Sequence, residues 1–457
     1  MRLSRPLIVS VIVGTALGCG GGVTARDQWT VVIATDAPAP TLVDRALVEV
    51  MTADGELACD DCRRQLGLPV DPAAWPISFG IAAPPSKAAL HLRVRLYRAK
   101  ESGNDGFPLA ATAIDRIAAL PPARGDTEVA LAMHAECLGL AADLEAREAC
   151  VGPERELIPE TELPRGRPDP AMRPGTWARS LSQPCASDPP DGMVCVPGGF
   201  FVLGDSRVVT VTRIQPFPER FVSVTPFGLD VDEVNVGVVR RLLRDGKITS
   251  APKLREADPS ARDGECTFLG RDDASNDALP VNCVPHGLAR SVCAALGRRL
   301  PTEAEWEWAA GNLELETFYP WGDEGDPCAY ADVGVGRYGL GDLLESPLCR
   351  ARPGAETLPG GLPRTANPSD VTALGVRGLA GGVSEWTSGK LQPYDARCWS
   401  SEPFLADPKC DTGDNFAIRG SSWLDTPGLV GNVKRQGAPA LARLPSIGFR
   451  CAVTLAE

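Results

Sequence analysis

The chain holds 15 cysteines and only three histidines in 457 residues, and the placing of those cysteines constrains the fold more than any other feature. Setting aside Cys19 leaves 14, an even number, and even counts in exported chains indicate disulfides. Export is expected from the leader. Residues 1–18 have a basic start at Arg2 and Arg5 and an apolar run from Leu7. That run is about a dozen residues, too short to cross a bilayer core of about 30 Å as a helix, so it reads as an export signal. In an oxidising compartment the short spacings suggest Cys59 with Cys62, Cys137 with Cys150, Cys185 with Cys195, Cys266 with Cys283, Cys328 with Cys349, and Cys398 with Cys410. Spacing leaves Cys293 and Cys451 unassigned. Zinc is the competing use of Cys59-Asp-Asp-Cys62, but no second Cys-x-x-Cys or histidine pair accompanies it.

Ala16-Leu-Gly-Cys19 resembles the bacterial lipobox, in which the cysteine is lipidated and becomes the new N-terminus. Residues 1–18 are therefore expected to be a lipoprotein signal peptide and residues 19–27, with Gly20-Gly-Gly22, a flexible tether. The expected location is the bacterial cell envelope, with the membrane reached through lipid on Cys19. A net charge of -13 argues against nucleic acid as a partner.

Residues 28–151 read as a small β-sandwich-like domain. Ala89-Leu-His-Leu-Arg-Val-Arg-Leu-Tyr97 and Thr127-Glu-Val-Ala-Leu-Ala-Met133 alternate apolar and polar residues, as half-buried strands do. Leu42 to Met51 fits a strand or a short helix. Nothing in this half brings a nucleophile, a base and an orienting partner together. Residues 152–190 contain nine prolines with few apolar residues between them, which predicts a semi-rigid, partly extended linker. A second domain, 191–455, opens with two apolar runs flanking Pro197-Gly198, which predicts a hairpin.

Three helices follow. Asn235 can cap one that carries Val239, Leu242 and Leu243 and stops at Gly246; a second spans about Gly287 to Leu296. The third begins in Arg299-Leu-Pro-Thr-Glu-Ala-Glu-Trp-Glu-Trp-Ala-Ala310. Thr302 with Glu305 three residues on is a capping box, and Glu303, Glu305 and Glu307 put negative charge at the positive end of the dipole. This predicts a capped surface helix packed on a core, its acids structural. Beyond Trp308 the periodicity fades into Gly, Pro, Asp and Trp, and such a chain stays compact only if its loops are stapled around buried aromatics.

Eight segments in order resemble the sulfatase-modifying-factor family, which includes the formylglycine-generating enzymes. They are Met193 to Gly204, Asp232-Glu-Val234, Pro280-Val-Asn-Cys-Val284, Arg299 to Glu307, Tyr319-Pro-Trp-Gly322, Gly378 to Trp386, Ile418-Arg-Gly-Ser-Ser-Trp423 and Ile447-Gly-Phe-Arg-Cys-Ala452. The resemblance implies an α+β, C-type-lectin-like domain with little regular secondary structure, and covers nothing before about residue 190. It also implies a structural disulfide between Cys293 and Cys451.

In the family's oxidases two cysteines after the Gly-Gly-Ser-Trp/Tyr segment bind copper(I) and activate oxygen, a task suited to soft thiolates. The matching positions here are Asp425 and Val430, so copper is not expected. The family also binds calcium at Gly-Asn-x-Trp-Glu-Trp. In this chain that loop reads Gly381-Gly-Val-Ser-Glu-Trp386, which keeps Glu385 and has Gly382 where the Asn stands; a second calcium position matches about Asp332. Calcium at Glu385, Gly382 and Asp332 is the metal expectation. The His-x-x-x-His-x-Glu iron motif of the sulfoxide synthases in this family is absent. The resulting expectation is an envelope-anchored binding or scaffolding module without oxidase activity, with a protein or peptide partner. The alternative is an enzyme using Asp425, Ser422, Arg419 or Glu385 in the same cleft on an exported protein or envelope substrate.

Overall fold

The computed structural model describes residues 26–84, 89–103, 105–206, 208, 215–256, 265–335, 348–350 and 366–455. The leader, Cys19 and most of the tether lie outside the described residues. Strands β1 (Gln28–Thr35), β2 (Arg45–Thr52), β3 (Arg63–Gly67), β4 (Ile77–Ala82), β5 (Leu90–Tyr97), β6 (Ala113–Ala119) and β7 (Asp126–Met133) build two sheets, in the orders β4-β1-β7 and β3-β2-β5-β6. Val31 and Ile33 of β1 and Val48, Val94 and Leu96 of the other sheet bury into one core, which is a β-sandwich. The stretch open to two readings, Leu42 to Met51, is a strand over most of its length, because β2 pairs with both β3 and β5.

The proline-rich segment packs against the sandwich. Strand β8 (Glu148–Cys150) pairs with β9 (Leu157–Pro159), and Glu162 and Arg165 bridge to Ala119 and Val129. Trp177 anchors it: its ring packs on Phe200 and Phe404 of the second half, while its indole N–H donates to Glu136 at 2.8 Å. Phe200, Val202 and Phe221 join the sandwich core, so one apolar cluster crosses the junction. Composition marks the segment as a linker but does not reveal the few apolar residues that fasten it.

In the second half β10 (Met193–Val196) and β11 (Gly199–Leu203) do not form the expected hairpin. Strand β10 pairs with β13 (Phe227–Asp230), and β11 with β12 (Arg220–Val224) in another sheet. The reason is at the turn, where the N–H and C=O of Gly198 exchange hydrogen bonds with Gln183 instead of across the hairpin. The helices α1 (Val236–Arg244), α2 (His286–Ala295), α3 (Glu303–Ala310) and α4 (Pro327–Tyr330) follow, then β14 (Ser384–Lys390), α5 (Arg397–Ser400) and β15 (Phe404–Ala406). The chain ends with β16 (Asn415–Arg419), β17 (Arg435–Pro439), β18 (Ile447–Gly448) and β19 (Ala452–Thr454). Mixed α+β architecture with short elements matches the expectation. Asn235 caps α1 by accepting from Val238 N, and Thr302 with Glu305 forms the capping box on α3.

Helix α3 departs from expectation in one respect. All eight of its residues are buried, so it is an internal helix and not a surface one. Three buried glutamates are tolerable only if each finds a partner, and each finds an arginine: Glu303 takes Arg435, Glu305 takes Arg299, and Glu307 takes Arg419.

Seven disulfides staple the chain. Six are the pairs suggested by spacing, and Cys293–Cys451 is the pair implied by the family resemblance. Such a framework suits an oxidising, exported environment. Among the described residues no helix is long and apolar enough to cross a membrane.

Candidate functional site

The loop joining β16 to β17 holds the positions that matter most. Arg419 and Arg435 face each other in register at its base, two buried like charges on neighbouring strands. Glu303 and Glu307 stand four residues apart and therefore on one face of α3. Arg435 gives Glu303 a bidentate pair at 2.8 and 2.9 Å, and Arg419 pairs with Glu307. Burial opposes the charge on Arg419, yet Glu307, Tyr394 and Glu303 outweigh it and hold its pKa above the ordinary value. Burial raises the pKa of Glu307 against the pull of Arg419. The capped helix thus clamps both ends of the loop.

Inside the loop Asp425 is the organising residue. Its Oδ2 accepts from the backbone N–H of Ser422 at 2.6 Å and from the Ser422 hydroxyl at 2.9 Å; its Oδ1 meets Lys434 Nζ at 2.8 Å. Lys434 also donates to Ser421 Oγ at 3.3 Å, and both serines and Lys434 are buried. Val430 packs with Trp423, Val333 and Ala380. A carboxylate and a hydrocarbon chain do not supply the soft donors copper(I) requires. Ser421 has an ammonium beside it, which is a donor only and no base. Of the sequence candidates, Asp425 and Ser422 are brought together, while Arg419 lies at the loop base with Glu307. The Ser422 hydroxyl donates to the Asp425 carboxylate, but Lys434 neutralises that carboxylate and neither Arg419 nor Glu385 joins the pair.

Glu385 belongs to a different cluster. Its carboxylate accepts from Arg450 Nε at 2.8 and 2.9 Å and from Trp306 Nε1 at 2.8 Å. Arg450 spends its other nitrogens on the carbonyls of Asp230, Val231 and Arg377. Gly382 sits at φ +76°, and a Cβ there would lie 2.7 Å from Glu233 Oε1, so an Asn in its place would require the Glu233 carboxylate to shift. Glu233 accepts from Val383 N and is fully enclosed; burial first and Glu385 second push its pKa well above the ordinary value. Asp332 is likewise engaged, accepting from Asn367 N at 2.8 Å.

These partners compete with calcium at all three positions. Calcium requires six to eight oxygen ligands, whereas the Glu385 carboxylate is bound to a guanidinium and an indole, the Asp332 carboxylate to a backbone amide, and the Gly382 carbonyl to Trp423 N. Among the described residues no group of three or more His, Cys, Asp or Glu side chains is arranged to hold a metal ion. Sequence reasoning missed Arg450, Lys434, Arg435 and Glu233. Arg450 was in plain view within Gly-Phe-Arg-Cys, but nothing local tied it to Glu385.

Comparison with known proteins places these features in context. The Sulfatase-modifying factor enzyme 1-like domain matches residues 178–455. The mouse protein named inactive C-alpha-formylglycine-generating enzyme 2 is 28% identical over 300 residues, covering 58% of this chain and 86% of that one. Hercynine oxygenase of Mycolicibacterium smegmatis is 29% identical over 290 residues, covering 59% of each. PvdO of Pseudomonas aeruginosa, a solved structure, aligns at TM-score 0.40 and 22% identity over 57% of this chain and 94% of its own.

Proposed function

The chain belongs to the sulfatase-modifying factor enzyme 1-like family, and from that membership we propose that it is a non-oxidase member acting as a binding or scaffolding module on an exported protein or peptide partner. One observation carries the reading. At the two loop positions where the family's oxidases hold their cysteines stand Asp425, tied to Lys434 and Ser422, and Val430, packed in a core. Every cysteine among the described residues is in a disulfide, so no thiol pair elsewhere in them substitutes. The mouse relative's name, which calls it inactive, agrees with this. Against the rival reading of a non-cysteine enzyme stand Lys434, which pairs with Asp425, Glu307, which pairs with Arg419, and Arg450, which pairs with Glu385.

The same proposal puts the protein at the cell envelope, held by lipid on Cys19. The mass of the mature N-terminal peptide tests that part, and an unlipidated residue there would remove the anchor from the proposal. For the function itself the test is copper(I) titration with oxygen uptake on a cysteine-containing peptide. No tight copper binding and no turnover are expected; both together would overturn the reading.

A further inference from the structure

Strand β4 is an edge strand without the usual defences. It ends the sheet β4-β1-β7, and all of its residues, Ile77–Ala82, pair with β1 alone. Ala83 N donates to the Asp27 carbonyl at 2.9 Å, and bonding alternates along an antiparallel ladder. The odd-numbered residues of β4 therefore bond β1, and the N–H and C=O of Ser78, Gly80 and Ala82 point away from it. Among the described residues nothing is hydrogen-bonded to those outward groups. All three residues are exposed, and a Cβ on Gly80 would meet no other part of the chain within 4 Å. Two other edges are guarded. Ala130 N and the Glu128 carbonyl of β7 bond Pro164 and Gly166 of the proline-rich segment, and β3 carries exposed Arg63 and Arg64. Strand β4 has no charge, bulge or proline within it.

The sequence of this edge favours one occupant. Its even-numbered positions read Pro76, Ser78, Gly80, Ala82 and Pro84, nearly the same in either direction, with Gly80 at the centre. Proline has no N–H, so a ladder built on the edge stops at the same distance on each side of Gly80. Ile77, Phe79 and Ile81 face the sandwich core but are only partly buried, which leaves apolar surface for a neighbouring strand to cover. Because the strand carries no charge, a second copy of it meets no repulsion. The edge is complementary to itself.

We propose that β4 pairs with β4 of a second copy of this chain, antiparallel about a two-fold axis at Gly80. Gly80 then faces the partner's Gly80 and Ser78 the partner's Ala82, each pair exchanging both hydrogen bonds, while Phe79 faces the partner's Ile81 on the core side. Two sheets of the order β4-β1-β7 become one continuous sheet. Sedimentation equilibrium of the purified full chain should show monomer and dimer with a dissociation constant of about 100 μM or below. Ser78→Lys/Ala82→Lys sets lysine opposite lysine in this register and should weaken the dimer about tenfold or more. Ser78→Lys/Ala82→Glu sets opposite charges there and should stay within about threefold of the native value. Both positions are exposed, so the melting temperature of each variant at a concentration where the chain is monomeric should match the native one. A chain that is monomeric up to about 100 μM overturns the proposal and leaves the edge to a strand of another protein. Association that both variants lose alike overturns the register, and association that neither loses overturns the interface, as it would if lipid on Cys19 drove it. Each of these outcomes leaves the reading of the Asp425 loop untouched.

Discussion

Lys434 Nζ lies 2.8 Å from Asp425 Oδ1, so a buried cation closes the loop at the position where the family's oxidases place a metal-binding thiolate. Breaking the pair from one side strands Lys434 with only the Ser421 hydroxyl. Asp425→Ala should therefore cost about 2 kcal/mol, below the full value for a buried pair because Asp425 is partly exposed. The double variant Asp425→Leu/Lys434→Met should recover most of that loss, because an apolar pair removes the desolvation along with the attraction. Denaturant unfolding measures both. A double variant no better than the single one would mean the ion pair itself stabilises the loop.

Arg450 plays the corresponding part at Glu385. Arg450→Lys keeps the charge but cannot reach Glu385 and three carbonyls together, and a loss of about 3 kcal/mol is expected. If the guanidinium is the cation of this cluster, EDTA leaves the melting temperature of the native chain unchanged and about 1 mM calcium does not raise it. A clear rise with calcium would mean the metal binds despite Arg450.

How much of this was readable depended on range. The capping box of Thr302 and Glu305 and the Asn235 cap involve residues three apart, so local chemistry announced them. Disulfides with short spacing were legible for the same reason. The clamps were not: Glu303 and Arg435 are separated by 132 residues, and Glu307 and Arg419 by 112. A glutamate at a helix start has a sufficient local explanation, which hid the long-range one. The missing hairpin at Pro197-Gly198 failed in the same way, since the competitor for its hydrogen bonds, Gln183, lies in a segment that composition marks as linker.

Two disulfides of opposite span test the stapling argument. Cys293–Cys451 spans 158 residues and Cys59–Cys62 only 3. The chain-entropy estimate gives about 5 kcal/mol for the first and about 2 kcal/mol for the second. Replacing Cys293 and Cys451 by alanine should lower stability far more than the same change at Cys59 and Cys62. Equal losses would assign the effect to native-state packing.

Trp177 tests whether the two halves unfold as one. It fills the junction between Phe200 and Phe404 and bonds Glu136. Trp177→Ala should cost about 3–5 kcal/mol, as for other buried aromatics, and calorimetry should resolve two transitions in place of one. Limited proteolysis should then cut within residues 152–190. One unchanged transition would show that the junction does not couple the halves.

His286 gives the pH dependence. Burial first, with Arg290 and Lys390 adding to it, lowers its pKa from about 6.5 to about 4, while its Nε2–H donates to the Thr387 carbonyl at 3.0 Å. Because the folded value lies below the unfolded one, the unfolded chain binds the extra proton. Stability from this residue is complete above about pH 6.5 and falls as the pH drops toward 4. The loss is about 2 kcal/mol once partial solvation of the ring is allowed for. In His286→Gln that part of the acid slope should disappear, leaving a shallower fall between pH 6.5 and 4 in unfolding measured across the range. An unchanged slope would place the acid sensitivity on the carboxylates instead.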